Sequence, residues 1–169
     1  ALGCLFPGRV VLGMGSGESM NEVPLGLVWP DGKERFARFR EAVRLIRALW
    51  AGERVTFEGD FYRTDKATIY DRPDEPVPLW LAASGPAATR FAGRAGDGYI
   101  TTSGKDPALY TDTLLPAVTE GAEKAGRQVA DLEMMIEVKV SFDHDRDAAM
   151  AATHFWGALG LTPEQKQGV

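Results

Sequence analysis

Val10-Val11-Leu12-Gly13-Met14-Gly15-Ser16-Gly17-Glu18-Ser19-Met20-Asn21-Glu22 starts as an apolar run and stops in three glycines at alternate positions. A carboxylate and an amide follow at once. Glycine has no Cβ, so a backbone built from it can approach a ligand closely. Apolar strands that end in Gly-rich loops are where α/β proteins bind ligands. The stretch predicts a buried strand over residues 9–14 and a cofactor loop over 15–22, with Glu18 as the first acid to suspect. Gly13-x-Gly15-x-Gly17 has the wrong spacing for the dinucleotide fingerprint, and no G-x-x-x-x-G-K-[ST] loop occurs.

Outward from that loop the periodicity alternates. Residues 1–6 read as the end of a helix, and Pro7-Gly8 as a turn. Pro24, Gly26, Pro30 and Gly32 punctuate an irregular segment around Trp29. Residues 33–50 form the clearest helix, because Phe36, Phe39, Val43, Ile46 and Trp50 recur at three- and four-residue steps. Arg35, Arg38, Arg40, Glu41, Arg44 and Arg47 cover its remainder, the basic ones reading as a solvated face rather than a binding patch, and Gly52 is its C-cap. Residues 55–63 read as a hairpin around Gly59-Asp60, and 64–76 as an Asp- and Pro-rich linker. A second strand is expected over 77–83, then a helix to Ala95 with Pro86 in its first turn. A third strand over 98–102, a helix over 107–125 and a fourth strand over 134–142 follow. Asp143 or Asp145 caps a helix near 146–156, and Thr162-Pro163 opens another helix or turn.

Strand and helix thus alternate four times, which implies a parallel sheet with right-handed crossovers. Periodicity leaves two architectures open, a doubly wound sheet or part of a (β/α)8 barrel. Four units are too few for a closed barrel, which typically takes about 250 residues. The 169 residues are 44% hydrophobic and 25% charged, enough apolar content for one core. A net charge of −5 argues against a nucleic-acid footprint, and no long apolar run predicts a membrane span. The single cysteine, Cys4, excludes an internal disulfide and a cysteine zinc cluster, and suits a reducing cytoplasm. The chain begins with Ala and ends in a polar helix-like run, as a fragment would.

In either architecture the loops after the strands share one face. Ser84-Gly85-Pro86-Ala87-Ala88 places free N–H groups at a helix N-terminus, either an anion site or an ordinary strand-to-helix turn. Thr101-Thr102-Ser103-Gly104-Lys105 offers hydroxyls and an ammonium, fit for a phosphate or merely solvated. Glu18 can serve as a general acid or base, or hold its loop through backbone N–H groups. His144 and His154 read as surface or core residues, and no His or carboxylate spacing suggests a metal site.

These residues resemble the coenzyme F420-dependent glucose-6-phosphate dehydrogenases of the bacterial luciferase-like superfamily. The resemblance runs from Gly3-Cys4-Leu5-Phe6-Pro7-x-Arg9-Val10 through the Gly17-Glu18-x-x-Asn21-Glu22 loop and Ala92-Gly93-Arg94-Ala95-Gly96-Asp97-Gly98. It continues over Thr102-Ser103-Gly104-Lys105 to Leu161-Thr162-x-Glu164-Gln165-Lys166. It implies one domain, residues 1–169, forming the middle of a luciferase-like TIM barrel of which about four βα units are present. It implies hydride transfer from C1 of glucose 6-phosphate to the deazaflavin F420, giving 6-phosphogluconolactone. Ser16, Gly17, Asn21, Ser84, Gly85, Ala87 and Ala88 would contact F420, and Glu18 would be the catalytic carboxylate. Thr102, Lys105 and Lys166 would hold the sugar phosphate. A cytoplasmic homodimer without membrane or nucleic-acid partners is implied. Ser16 stands where the family has Thr and Ser84 where it has Gly. The family's catalytic His and its last phosphate-binding Arg have no counterpart here, so these 169 residues alone are expected to be inactive. The alternatives are an F420 enzyme acting on another alcohol or sugar phosphate, and an FMN-dependent luciferase-like monooxygenase.

Overall fold

The computed structural model describes residues 1–52 and 54–157. A short helix, α1 (Leu2–Leu5), leads into strand β1 (Leu12–Met14), which is followed by a single helical turn, α2 (Ser19–Glu22). Helix α3 (Gly32–Ala51) comes next, then a hairpin of β2 (Val55–Glu58) and β3 (Arg63–Ala67). The remaining elements are β4 (Leu79–Ala82), α4 (Pro86–Ala95), β5 (Gly98–Thr102), α5 (Leu115–Lys124), β6 (Glu133–Glu137) and α6 (Arg146–Gly157). Strands β1, β4, β5 and β6 lie side by side in that order, every pair parallel, and the hairpin is a separate two-stranded sheet.

The alternation of side chains across a strand sorts the sheet into two faces. One face carries Leu79, Leu81 and Tyr99, all buried against Phe39 and Val43 of α3, Ala92 of α4, and Val118 and Ala122 of α5. The apolar stripe expected for α3 is therefore the one that packs, with Phe36 and Trp50 at its margins. The register places Gly13 beside Trp80, Trp80 beside Gly98, and Ala82 beside Ile100 on the opposite face. Trp80 lies over Gly98, where an added Cβ would come within 2.7 Å of the indole.

Asp31 caps α3 by accepting from the N–H groups of Lys33 at 2.8 Å and Glu34 at 2.9 Å. Gly52 closes the helix at φ 104°, left-handed backbone that suits glycine. Asp145 caps α6 as expected, accepting from Asp147 N–H at 2.9 Å. The third strand matches its expected span.

The expected boundaries fail where pairing or local chemistry intervenes. The first strand covers Leu12–Met14 rather than 9–14, the span over which it pairs with β4. β6 stops at Glu137 rather than Phe142, because its partner β5 ends at Thr102 and offers no further rungs. β3 runs on to Ala67, into the segment expected to be linker. The helix expected from 107 to 125 begins with a wide π-helical turn, Leu109–Leu114, ahead of α5. Pro116, which has no N–H to give, stands just beyond that turn. Cys4 is exposed on α1. The second opening helix or turn, at Thr162-Pro163, lies outside the described residues.

Candidate active site

All four parallel strands end at one edge of the sheet, so the segments after Met14, Ala82, Thr102 and Glu137 hang together there. Neighbouring strands are about 4.8 Å apart, which sets the segments after β1 and β5 roughly 10 Å from each other.

The first segment is shaped by Gly17. Its φ of 89° is left-handed, and an added Cβ would fall on the Glu22 carboxylate and come within 3.4 Å of the Trp29 ring. Beyond it Glu18 is extended, and its carbonyl accepts from the N–H groups of Asn21 and Glu22, each at 3.1 Å. Asn21 Nδ2 then donates to Glu18 Oε2 at 3.0 Å. The acid and the amide are thus one unit, exposed at the end of β1. The far end of the segment is pinned to α3, where the Arg35 guanidinium lies 4.2 Å from the centroid of Trp29 and donates to Pro30 O at 2.6 Å. Ser16 and Gly17 also line a cavity of about 330 Å³ behind the segment, together with Arg35, Arg38 and Tyr62.

Beside this acid the sheet presents a ledge almost free of side chains. An added Cβ at Gly13 would meet nothing within 4 Å, and one at Gly15 would meet only the Cβ of Ala82, at 3.8 Å. Gly13, Gly15 and Ala82 are all exposed.

At the second segment, Gly85 is the N-cap of α4 and Pro86 its first residue. The first intrahelical bond runs from Thr89 N–H to Gly85 O at 2.9 Å, so the N–H groups of Ala87 and Ala88 have no acceptor within the helix. The turn is fixed from below by Tyr99, which donates to Ala83 O at 3.0 Å and stands 3.4 Å from the Thr89 hydroxyl. Ser84 is exposed and an added Cβ at Gly85 would meet nothing within 4 Å.

The third segment turns through Gly104 at φ 81°. Tyr110 donates to Thr102 O at 2.8 Å and accepts from Lys105 N–H at 3.2 Å. Thr102 and Lys105 are exposed, and the Lys105 ammonium makes no ion pair among the described residues. Lys166 lies outside the described residues. The structure brings the other predicted site residues, Ser16, Gly17, Glu18, Asn21, Ser84, Gly85, Ala87, Ala88, Thr102 and Lys105, to the same edge of the sheet. In the fourth segment the exposed His144 packs edge-on against Phe142, with ring centroids 5.8 Å apart. Among the described residues no group of His, Cys, Asp and Glu could hold a metal ion, and no helix is long and apolar enough to cross a membrane.

Supporting residues were less legible. Glu41, which shares the non-apolar part of α3 with the arginines, is only 4% exposed. Its carboxylate accepts from the N–H groups of Asp60, Phe61 and Tyr62 at 3.0, 2.9 and 2.7 Å, fastening the hairpin turn to α3. Burial pushes the Glu41 carboxyl up, but the three backbone donors and the Arg44 charge together outweigh it and hold the group below its ordinary value. Asp97 accepts from Arg47 at 2.8 Å and from Leu79 N–H at 2.7 Å, so the Gly-Asp-Gly run is a clasp joining α3, β4 and β5. Only Gly59 could have signalled Glu41, since a Cβ there would fall on its carboxylate.

A parallel sheet with helices packed on one face and its functional loops gathered at the strand carboxyl ends is the arrangement of a (β/α)8-barrel enzyme. The chain belongs to the luciferase-like monooxygenase family, whose model matches residues 1–168. It is 68% identical over 168 residues to an F420-dependent glucose-6-phosphate dehydrogenase of Nakamurella multipartita, and 69% identical over 168 residues to one of Beutenbergia cavernae. In each case the match covers 99% of this chain and 50% of the relative, so the chain spans about half the length of the curated relatives it matches. Among solved structures it resembles an F420-dependent secondary alcohol dehydrogenase in complex with an F420-acetone adduct, with a TM-score of 0.88 and 36% identity over 97% of this chain and 49% of that one. A coenzyme F420-dependent tetrahydromethanopterin reductase from Methanopyrus kandleri has a TM-score of 0.77 and 26% identity, covering 90% of this chain and 47% of that one.

Proposed function

We propose that this chain provides the middle βα units of an F420-dependent glucose-6-phosphate dehydrogenase, an oxidoreductase of carbohydrate metabolism yielding 6-phosphogluconolactone. The observation that carries it is the common edge: the Glu18–Asn21 unit, the bare ledge, the α4 N-terminus and the Thr102–Lys105 turn all hang from adjacent strand ends. The residues fit a flat ring system bearing an anionic tail. The ledge of Gly13, Gly15 and Ala82 leaves room for a planar face. The free N–H groups of Ala87 and Ala88, with Ser84 and Gly85 beside them, suit a phosphate. Bound there, the coenzyme supplies a hydride acceptor.

The chain's own residues do the rest. Ser16, Gly17 and Asn21 would hold the ring, and Asn21 orients the Glu18 carboxylate through the 3.0 Å bond. Glu18, exposed at the end of β1 and held by Asn21, would be the group placed to hold or release a proton beside the bound ring. Thr102 and Lys105, joined by Lys166, hold the sugar phosphate through charge-assisted bonds. The 68% identity to a relative named for glucose 6-phosphate, against 36% to one named for a secondary alcohol, favours the sugar phosphate. The enzyme is further proposed to be one domain here, a homodimer, and cytoplasmic, as its resemblance to that family implies.

The test is Glu18→Gln in the longest natural chain that carries this stretch, assayed by loss of F420 absorbance with glucose 6-phosphate. The expected result is a kcat lower by about 10²–10⁴-fold, with F420 affinity within a few-fold of the parent. Full activity in that variant, or oxidation of unphosphorylated alcohols in preference to glucose 6-phosphate by the parent, would refute the assignment.

A further inference from the structure

We infer that Tyr110 is a positioning residue for the phosphate-binding turn, and that its hydroxyl sets the preference for the phosphorylated sugar. The inference rests on the proposed roles of Thr102 and Lys105. The hydroxyl closes the turn from outside it, donating to Thr102 O at 2.8 Å and accepting from Lys105 N–H at 3.2 Å. One atom thereby fixes the backbone at both proposed substrate residues, across the left-handed Gly104. Ser103 N–H is held separately by Glu137 O at 2.8 Å, so the turn is anchored to β6 as well as to the helix that follows.

That helix is built to deliver the ring. Asp106 accepts from Ala108 N–H at 2.9 Å and caps its start. The wide turn Leu109–Leu114 contains Tyr110, and segments of this kind recur at functional sites. A lysine side chain has four rotatable bonds and loses much freedom when it grips an anion. Fixing the backbone on which it stands reduces what must still be ordered when phosphate binds. A hydroxyl that only filled space would not need both of its hydrogen bonds to fall on the two residues proposed to touch the substrate.

The experiment is Tyr110→Phe in the longest natural chain that carries this stretch. The KM for glucose 6-phosphate is expected to rise about fivefold to tenfold, the size of one lost hydrogen bond, with kcat within about twofold. F420 affinity, read by fluorescence titration, stays unchanged. Turnover of unphosphorylated glucose also stays unchanged, so the preference for phosphate falls by the same factor. Gly104→Ala strains the same turn without touching the hydroxyl and should give the same signature, which keeps the test open if Tyr110→Phe does not fold. An unchanged KM in a folded Tyr110→Phe, or in Gly104→Ala where Tyr110→Phe does not fold, overturns the inference. So does a parallel loss of kcat and F420 affinity, which would mark general damage. Lys105→Ala separates the two ideas: if it raises KM and Tyr110→Phe does not, only the role of Tyr110 falls. If Lys105→Ala leaves KM alone, the phosphate assignment falls with it.

Discussion

Glu41 shows how one side chain can matter to a site it does not touch. Its carboxylate gathers three consecutive backbone N–H groups of the hairpin turn, and Tyr62 of that turn lines the cavity behind Ser16 and Gly17. Glu41→Gln replaces an acceptor-only group with one that must turn an N–H toward another N–H. The variant should unfold at a lower denaturant concentration, with the same slope. The pH dependence has a definite sign. The folded pKa lies below the ordinary value of 4.5, so the native state favours the charged form. The stabilisation is fully present above that ordinary value and fades as pH falls through the folded one. The gap in midpoint between parent and variant should therefore be constant at neutral pH and close below about pH 4.5. A gap that widens on acidification would contradict the assignment. This residue was illegible in sequence because the hairpin it serves lies about twenty positions away, and a carboxylate among arginines on a helix ordinarily faces solvent. The turn at Gly17 is legible because its geometry is local: three glycines at the end of an apolar run predict a tight loop at a strand end.

Among the elements, the tightest contact is between α4 and α5. A Cβ added at Gly93 would fall on the Val118 carbonyl oxygen, and one added at Gly121 on the Arg90 carbonyl oxygen. Each glycine admits the other helix's backbone, so neither can yield by rotating a side chain. Gly121→Ala should destabilise the fold by about 1–3 kcal/mol, the usual cost of overpacking, read from equilibrium unfolding. Loss of the Arg90–Glu120 ion pair across the same helices should cost less, since both partners are about two-fifths exposed and screened by water. If Arg90→Ala proves the more damaging, the helices are held by charge rather than by backbone approach. The Ala92–Gly98 run signalled something shared, yet sequence could not say what met Gly93, because Val118 comes 25 residues later. Periodicity found α3, α4 and β5 well, since each is decided by its own apolar pattern. It overran β6, whose length is decided by where β5 stops pairing.

At the scale of the molecule, parallel connectivity converts distant sequence into one site. Residues 18, 85 and 105 are far apart in the chain but follow neighbouring strands, so the order of strands and helices alone groups the loops that carry them. Lys166 enters by resemblance alone and lies outside the described residues. If it grips the same phosphate as Lys105, the two ammonium groups share one dianion and cannot act independently. Each single change to Ala should raise the KM for glucose 6-phosphate, by about tenfold or more, the size of a lost charge-assisted bond. The double variant should then lose less than the product of the two, because a phosphate already freed from one lysine is held less firmly by the other. Groups with no shared partner more than about 7–10 Å apart would instead multiply within error. Kinetics of the four proteins in that cycle, with glucose as a substrate lacking the anion, decide between the cases. Strict multiplication, or an equal effect on glucose, would remove Lys166 from the phosphate site and leave Lys105 to hold it with Thr102.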